Sequence, residues 1–103
     1  MRQHVFEFTA PLWLYGGKAT WHFLTLPFDV TDQIDEVTHE SKRGFGSVRV
    51  SVTIGGTTWA TSIFPDNSRK SFILPVKAAV RKAEGLTLHV ACRVQLTLVD
   101  IET

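Results

Sequence analysis

"SVRVSVTIGGTTWATSIFP", residues 47–65, alternates apolar and polar side chains on both sides of two adjacent glycines. Alternation with period two marks a strand with one covered face. Val48, Val50, Val52 and Ile54 therefore point one way, and Ser47, Arg49, Ser51 and Thr53 the other. Gly55-Gly56, which tolerate positive φ and lie between two apolar runs, read as a two-residue hairpin turn. Such a loop sets the register: Ile54 faces Thr57, Val52 faces Trp59, Val50 faces Thr61 and Val48 faces Ile63. Trp59 thereby joins the valine face, where its ring buries a large area. Ser62 falls opposite Arg49 on the polar face, beside Thr53 and Thr58, as one rung of a ladder.

Outward from this hairpin, His4, Phe6 and Phe8 share one parity and predict a strand, which Pro11 interrupts as an edge or bulge residue would. "LWLY" (12–15) and "KATWHFLTL" (18–26) flank Gly16-Gly17 and read as a second tight hairpin. Its return strand carries large groups on both parities, which predicts two covered faces. Beyond Pro27, Val30, Ile34 and Val37 recur at helical spacing. Asp29 reads as the N-cap, Asp32 and Asp35 favour the amino end, and Lys42, Arg43 and Gly44 close the helix. "DNSRKS" (66–71) is turn chemistry and "FILP" (72–75) a short strand. Pro75 suits a first helical turn, with Val76, Ala79, Val80 and Ala83 as inner stripe and Gly85 as stop. "LTLHVACRVQLTLV" (86–99) keeps Leu86 to Leu98 on one parity and reads as the longest strand.

The order strand, strand, helix, strand, strand, strand, helix, strand suits a sheet that curls shut. Residues 1–103 are read as one mainly β domain: a small closed β-barrel with two short α-helices plugging its ends. No internal repeat shows beyond the two Gly-Gly hairpins. Hydrophobic residues at 44% and charged residues at 20% are ordinary for a globular chain. Eleven basic against ten acidic residues leave no field that selects nucleic acid, membrane or an acidic partner. The single cysteine, Cys92, excludes an intrachain disulfide or a thiolate-rich metal site. No apolar run approaches the roughly 18 residues of a membrane span, and the amino end alternates where a signal peptide would be a block. A reduced, cytoplasmic protein without a membrane partner is expected.

Catalytic signals are weak. No G-x-S-x-G surrounds Ser62, and only His89 would approach it, through an unknown register, so a small-substrate hydrolase is the least favoured reading. His4, His22, His39 and His89 lack metal-ligand spacing, and Asp32, Asp35, Glu36 and Glu40 read as a solvated helix face. No catalytic residue, metal or cofactor is expected. Arg69, Lys70, Lys77, Arg81 and Lys82, by contrast, concentrate positive charge within fourteen residues. Arg49, Thr61, Ser62, Lys77 and Arg81 are the candidate ligand-binding residues. The cations would supply charge, the hydroxyls orientation, and the helix amino end near Pro75 further N–H donors. The expected partner is a small anionic ligand or a protein, for a monomer or weak homodimer. Trp13, Leu14 and Tyr15 near the first hairpin tip either form a partner surface or cap the barrel mouth.

"WHFLTLP", "VRVSVTIGGTTWATSIFP" and "FILPVKAAVRKAEGL" resemble a bacterial and archaeal family of small β-barrel proteins catalogued as domain of unknown function nineteen-oh-five. The resemblance spans roughly Phe6 to Leu98. It implies a six-stranded double-split barrel, shared distantly with swapped-hairpin DNA-binding antitoxins and transition-state regulators, so an antitoxin-like or regulatory DNA-binding barrel is the competing reading. Some relatives carry a bacteriocin-protection domain after the barrel, which is not expected within these residues. Members usually have Asn-Gly where this chain has Gly55-Gly56, both suited to a type I′ turn. They usually enter the last strand through Gly-Asp where this chain has His89-Val90, which implies loss of a tight turn and of a carboxylate. The resemblance implies a fold and no established activity.

Overall fold

The computed structural model describes residues 4–16, 20–38 and 46–99. Eight elements follow in the expected order: β1 (Val5–Leu14), β2 (His22–Thr25), α1 (Phe28–Thr38), β3 (Val48–Ile54), β4 (Thr57–Asp66), β5 (Ser71–Pro75), α2 (Ala78–Glu84) and β6 (Ala91–Leu98). The strands pair antiparallel and close into a barrel in the order β1-β2-β5-β4-β3-β6. The mainly β, six-stranded closed barrel with two helices is the fold the sequence leads one to expect. No helix among the described residues is long and apolar enough to cross a membrane.

Closure rests on the two ten-residue strands, each of which pairs with one partner along its first stretch and with another along its last. β1 pairs with β6 through Val5–Pro11 and with β2 through Leu12–Leu14. β4 pairs with β3 through Thr57–Ile63 and with β5 through Phe64–Asp66. Pro11 does not interrupt β1. It is the last residue facing β6, so a residue without an N–H stands where the ladder changes partner.

The pairing also repeats about an axis. Leu24 faces Leu74 where β2 meets β5, and Phe23–Pro75 on one side mirrors Thr25–Ile73 on the other. Just beyond the strands, the Leu26 N–H donates to the Phe72 carbonyl and the Val76 N–H to the His22 carbonyl, both at 2.9 Å. β1-β2-α1-β3 and β4-β5-α2-β6 are thus two copies of one unit in a pseudo-twofold arrangement. Sequence inspection finds only the paired glycines in common, because the duplication lies in topology and register. Since β2 and β5 run antiparallel and each leads into a helix, α1 and α2 sit at opposite ends of the barrel.

Inward-facing side chains fill the interior. Leu12, Leu24, Leu26, Ile34, Val50, Val52, Ile63, Leu74, Val94 and Leu96 are all less than 2% exposed. Each such burial contributes about 1.5–3 kcal/mol. The β3–β4 ladder has the register read from the sequence, from Ile54–Thr57 to Val48–Ile63. Trp59 does face Val52, yet it is only half buried, packed against the core at the barrel's margin. Of the two turn glycines only Gly55 has positive φ, at 59°, the φ pattern of a type II′ turn where type I′ was expected.

Several boundaries differ from the sequence reading. Leu14 pairs with His22, and the Tyr15 N–H donates to the Trp21 carbonyl at 2.8 Å, a register that a two-residue turn at Gly16-Gly17 does not give. Gly17 lies outside the described residues. A two-residue turn there would oppose Leu12 to Trp21; the observed register opposes it to Leu24, and both leucines enter the core. α1 starts at Phe28, which puts Asp29 in its first turn instead of at the cap; Lys42, Arg43 and Gly44 lie outside the described residues. Pro75 remains in β5, paired with Phe23, and α2 starts at Ala78 after Lys77. The Val76 bond to His22 keeps the backbone extended that far. Val76 and Val80 are buried while Ala79 and Ala83 are exposed. Gly85 ends α2 in the left-handed conformation, φ 61°.

β6 starts only at Ala91, so β1 and β4 are the longest strands. Before it, His89 has φ 68°, Val90 is exposed, and the Val90 N–H donates to the Thr87 carbonyl at 3.2 Å. The tight turn expected to be lost with the Gly-Asp step is therefore kept, with histidine in the left-handed conformation.

At Gly55 a side chain faces two penalties: the positive φ, and a Cβ position that collides with the Glu84 carboxylate. Gly55→Ala is expected to lower the unfolding free energy by about 1–3 kcal/mol. A shift of the urea midpoint at unchanged slope would register it.

Candidate functional site

Three stretches far apart in sequence converge on one cleft of about 420 Å³: Thr20–His22 leading into β2, Trp59–Thr61 in β4, and Pro75–Ala78 with Arg81 at the β5–α2 junction. Each arrives for a local reason. Alternation in β4 puts Trp59 and Thr61 on the inward parity, at a point where neither is fully covered. The β2–β5 pairing and the Val76 bond bring His22 beside the start of α2. Arg81 lies one helical turn beyond Lys77, on the same face.

Arg81 is oriented by neutral acceptors. Its Nε donates to the Val76 carbonyl at 3.1 Å, and its Nη1 to His22 Nε2 at 3.3 Å. An accepting Nε2 assigns the ring proton to Nδ1, which donates to the Thr20 carbonyl at 3.0 Å. Guanidinium has five N–H donors, so three remain for another group. Among the described residues neither Arg81 nor Lys77 has a carboxylate partner. At its far end α2 is tied to the β3–β4 hairpin, where the Thr57 hydroxyl donates to Glu84 Oε2 at 2.6 Å.

Across the pseudo-twofold axis the equivalent seam uses other chemistry. Phe72 stands where His22 stands, Thr31 where Arg81 stands, and the Phe72 N–H donates to Thr31 Oγ1 at 3.3 Å. At these two positions the barrel therefore closes with a phenylalanine and a threonine in place of the histidine and arginine. The histidine–arginine pair is a feature of one seam and not a demand of the fold.

The five candidate residues divide between two surfaces. Thr61, Lys77 and Arg81 line the cleft. Arg49 and Ser62 face each other across the ladder on the outward parity, close to Val99, whose N–H donates to the Arg49 carbonyl at 3.1 Å. His89 precedes the opposite end of β6 and bonds through its N–H to the Leu12 carbonyl at 2.7 Å, so the ladder holds it away from Ser62. The five-residue β5, roughly 17 Å long, parts Lys77 and Arg81 from Arg69 and Lys70.

The family model described as "Domain of unknown function (DUF1905)" matches residues 8–96. The chain is a DUF1905 domain. A comparison with curated proteins returns no match.

Outside the cleft of this DUF1905 domain, Arg93 pairs with Glu7 and Arg69 with Asp66. Asp66 Oδ1 accepts from the Ser68 hydroxyl at 2.8 Å and the Ser68 N–H at 3.0 Å, and Oδ2 from Arg69 Nη1 at 2.7 Å. The Ser68 hydroxyl bond, the largest influence, joins with Arg69 and the Ser68 N–H to hold the Asp66 carboxyl below its ordinary 3.8, outweighing the upward push from burial, which is second in size. The Arg69 guanidinium also lies 3.8 Å over the Trp13 ring. Trp13, Tyr15, Trp21 and Phe23 cluster on the outer face of β1–β2 rather than across the mouth. Burial pushes the Cys92 thiol above its ordinary 9.0, which keeps it protonated. Among the described residues no group of three His, Cys, Asp or Glu is placed to hold a metal ion; His39 lies outside them.

Sequence reading passed over Thr20, Trp21, His22 and Trp59 as cleft residues. His22 and Arg81 are 59 positions apart, and no motif links them. The usable signal was the polar His22 at the head of an otherwise apolar strand.

His22→Phe, which installs the residue type of the equivalent seam, is expected to keep the barrel at a cost of about 1 kcal/mol. It should release Arg81 Nη1, seen by NMR as faster rotation and averaging of the guanidinium Nη–H resonances, while the Nε–H bond to Val76 stays. The Asp66 contribution to stability is present above its ordinary 3.8 and drains away as pH falls through the lowered folded value. Urea midpoints followed into acid should therefore fall less steeply for Asp66→Asn than for the parent protein.

Proposed function

We propose that this DUF1905 domain is a non-catalytic binding module that recognises a small anionic ligand in the cleft beside α2. The observation that carries the reading is Arg81. A half-buried guanidinium, aimed by a carbonyl and an imidazole and lacking a carboxylate partner among the described residues, retains its charge and three N–H donors for an anion. Lys77 adds a second cation at the rim, and Thr61 a hydroxyl. With α2 spanning about two turns, side chains and not the helix end set the field. Binding is favoured over catalysis because the lining offers cations and hydroxyls while its histidine is engaged through both ring nitrogens. Arg49 and Ser62 have no part in this site.

A regulatory DNA-binding barrel would instead draw on a continuous run of cations, since phosphate contacts dominate such affinity. Here the charge of Arg69 is taken up by Asp66, and β5 separates it from Lys77.

Inorganic phosphate is the probe. If its Kd is near 1 mM, a 10 mM concentration stabilises by roughly 1.4 kcal/mol and raises Tm by several degrees. Phosphate also stabilises proteins by exclusion from their surface, so only the part lost in Lys77→Ala/Arg81→Ala counts. An equal rise in parent and variant would refute the reading. A salt-sensitive gel shift with duplex DNA would favour the regulatory barrel.

A further inference from the structure

We infer that the ligand of this cleft is a planar aromatic ring carrying a single anionic group, carboxylate or phosphate. The inference rests on the anion-binding reading above and names what else the site recognises.

The cations account for one end of the ligand only. Two of the chain's three tryptophans, Trp21 and Trp59, line the same cleft with Pro75, Val76 and Ala60. A site for a bare inorganic anion has no use for such walls, which repel water and offer no donor beyond an indole N–H. The indole of Trp59 is held in place, since it is seated opposite Val52 and packed against the core. Trp21 stacks within 10° of parallel on Phe23, ring centres 6.1 Å apart. It is nevertheless 55% exposed, so its stack leaves apolar area uncovered at the rim. Aromatic faces that are fixed yet incompletely covered are complementary to another ring.

Size narrows the class. A cleft of about 420 Å³ lies near the lower end of small-molecule sites, which span roughly 300–1,000 Å³. It suits a ring or fused ring system with one acidic substituent and is too small for a polymer. Charge narrows it further, because Lys77 and Arg81 face no carboxylate in the lining. The hydroxyls of Thr20 and Thr61 remain for polar edges of the ring.

The pseudo-twofold comparison supplies an independent argument. Trp59 on β4 corresponds to Phe8 on β1, which is 8% exposed and fully part of the core. Thr61 corresponds to Ala10, Arg81 to Thr31 and His22 to Phe72. At one seam these positions hold Phe8, Ala10, Thr31 and Phe72; at the other, indole, hydroxyl, cation and orienting imidazole replace all four together. A structural need would have been met by the simpler set, which the same barrel already contains.

Calorimetric titration of the intact domain tests this with benzoate and phenyl phosphate against acetate and inorganic phosphate, and with benzamide as the uncharged ring. The aromatic anions are expected to bind at least tenfold more tightly than their non-aromatic counterparts. The tighter of benzoate and phenyl phosphate identifies the anionic group. Indole N–H resonances of Trp21 and Trp59 should shift on binding, and that of Trp13 should not. Trp59→Leu should erase the tenfold preference and leave phosphate binding intact; Arg81→Leu should remove both. Should inorganic phosphate match phenyl phosphate, with both depending on Arg81, the aromatic specificity is overturned while the anion site survives. Should benzamide match benzoate, or Arg81→Leu change nothing, both fall together.

Discussion

β1 and β4 each bond to two neighbours, and closure of the sheet depends on that double pairing. Were either strand to stop where it changes partner, the sheet would open into a ribbon with unpaired edges, which invites association with other chains. Here β1 passes from β6 to β2 at Pro11 and Leu12, and β4 passes from β3 to β5 at Ile63 and Phe64. Both crossings carry a fully buried side chain, Leu12 and Ile63, so the points where the ladder changes hands are also points of dense packing. The short helices then need only cover the two ends.

The same double pairing makes the molecule two copies of one unit, and this gives the cleft its meaning. Each unit closes its seam with one backbone bond of 2.9 Å, Leu26 to Phe72 in one and Val76 to His22 in the other. Side chains are free to diverge once the backbone has met the structural requirement. In one seam Thr31 accepts from the backbone N–H of Phe72. The other gathers a guanidinium, an imidazole and an indole.

Rigidity follows from how α2 is held. Lys77 and Val76 begin it against β2, Glu84 pins its end to Thr57, and Gly85 stops it in the left-handed conformation. Arg81 sits between these anchors with its own Nε and Nη1 engaged. A cation fixed before the ligand arrives loses little rotamer freedom on binding, the main advantage of preorganisation.

Alternation and turn chemistry are properties of neighbours along the chain, so the order of all eight elements, the inward face of β3 and the register from Val48–Ile63 to Ile54–Thr57 were legible in residues 47–65 and their flanks. Segment ends were less so. Gly16-Gly17, Pro75 and the Leu86–Val90 run each carry a local preference that a longer-range demand overrode: burial of Leu24, the Val76 bond to His22, and the packing of Leu88 beside Leu12. Lys77, Arg81 and Thr61 stood out as charged or hydroxyl groups beside apolar runs, and that is all composition was able to say of them. Whether Arg49 and Ser62 shared their surface was a question of which way the wall faces. The meeting of His22 with Arg81 came from β2 lying against β5. Contacts of that kind arise from whole strands finding their place in a closed barrel, where the deciding energy is burial summed over many residues and no single stretch of chain holds enough of it to be read.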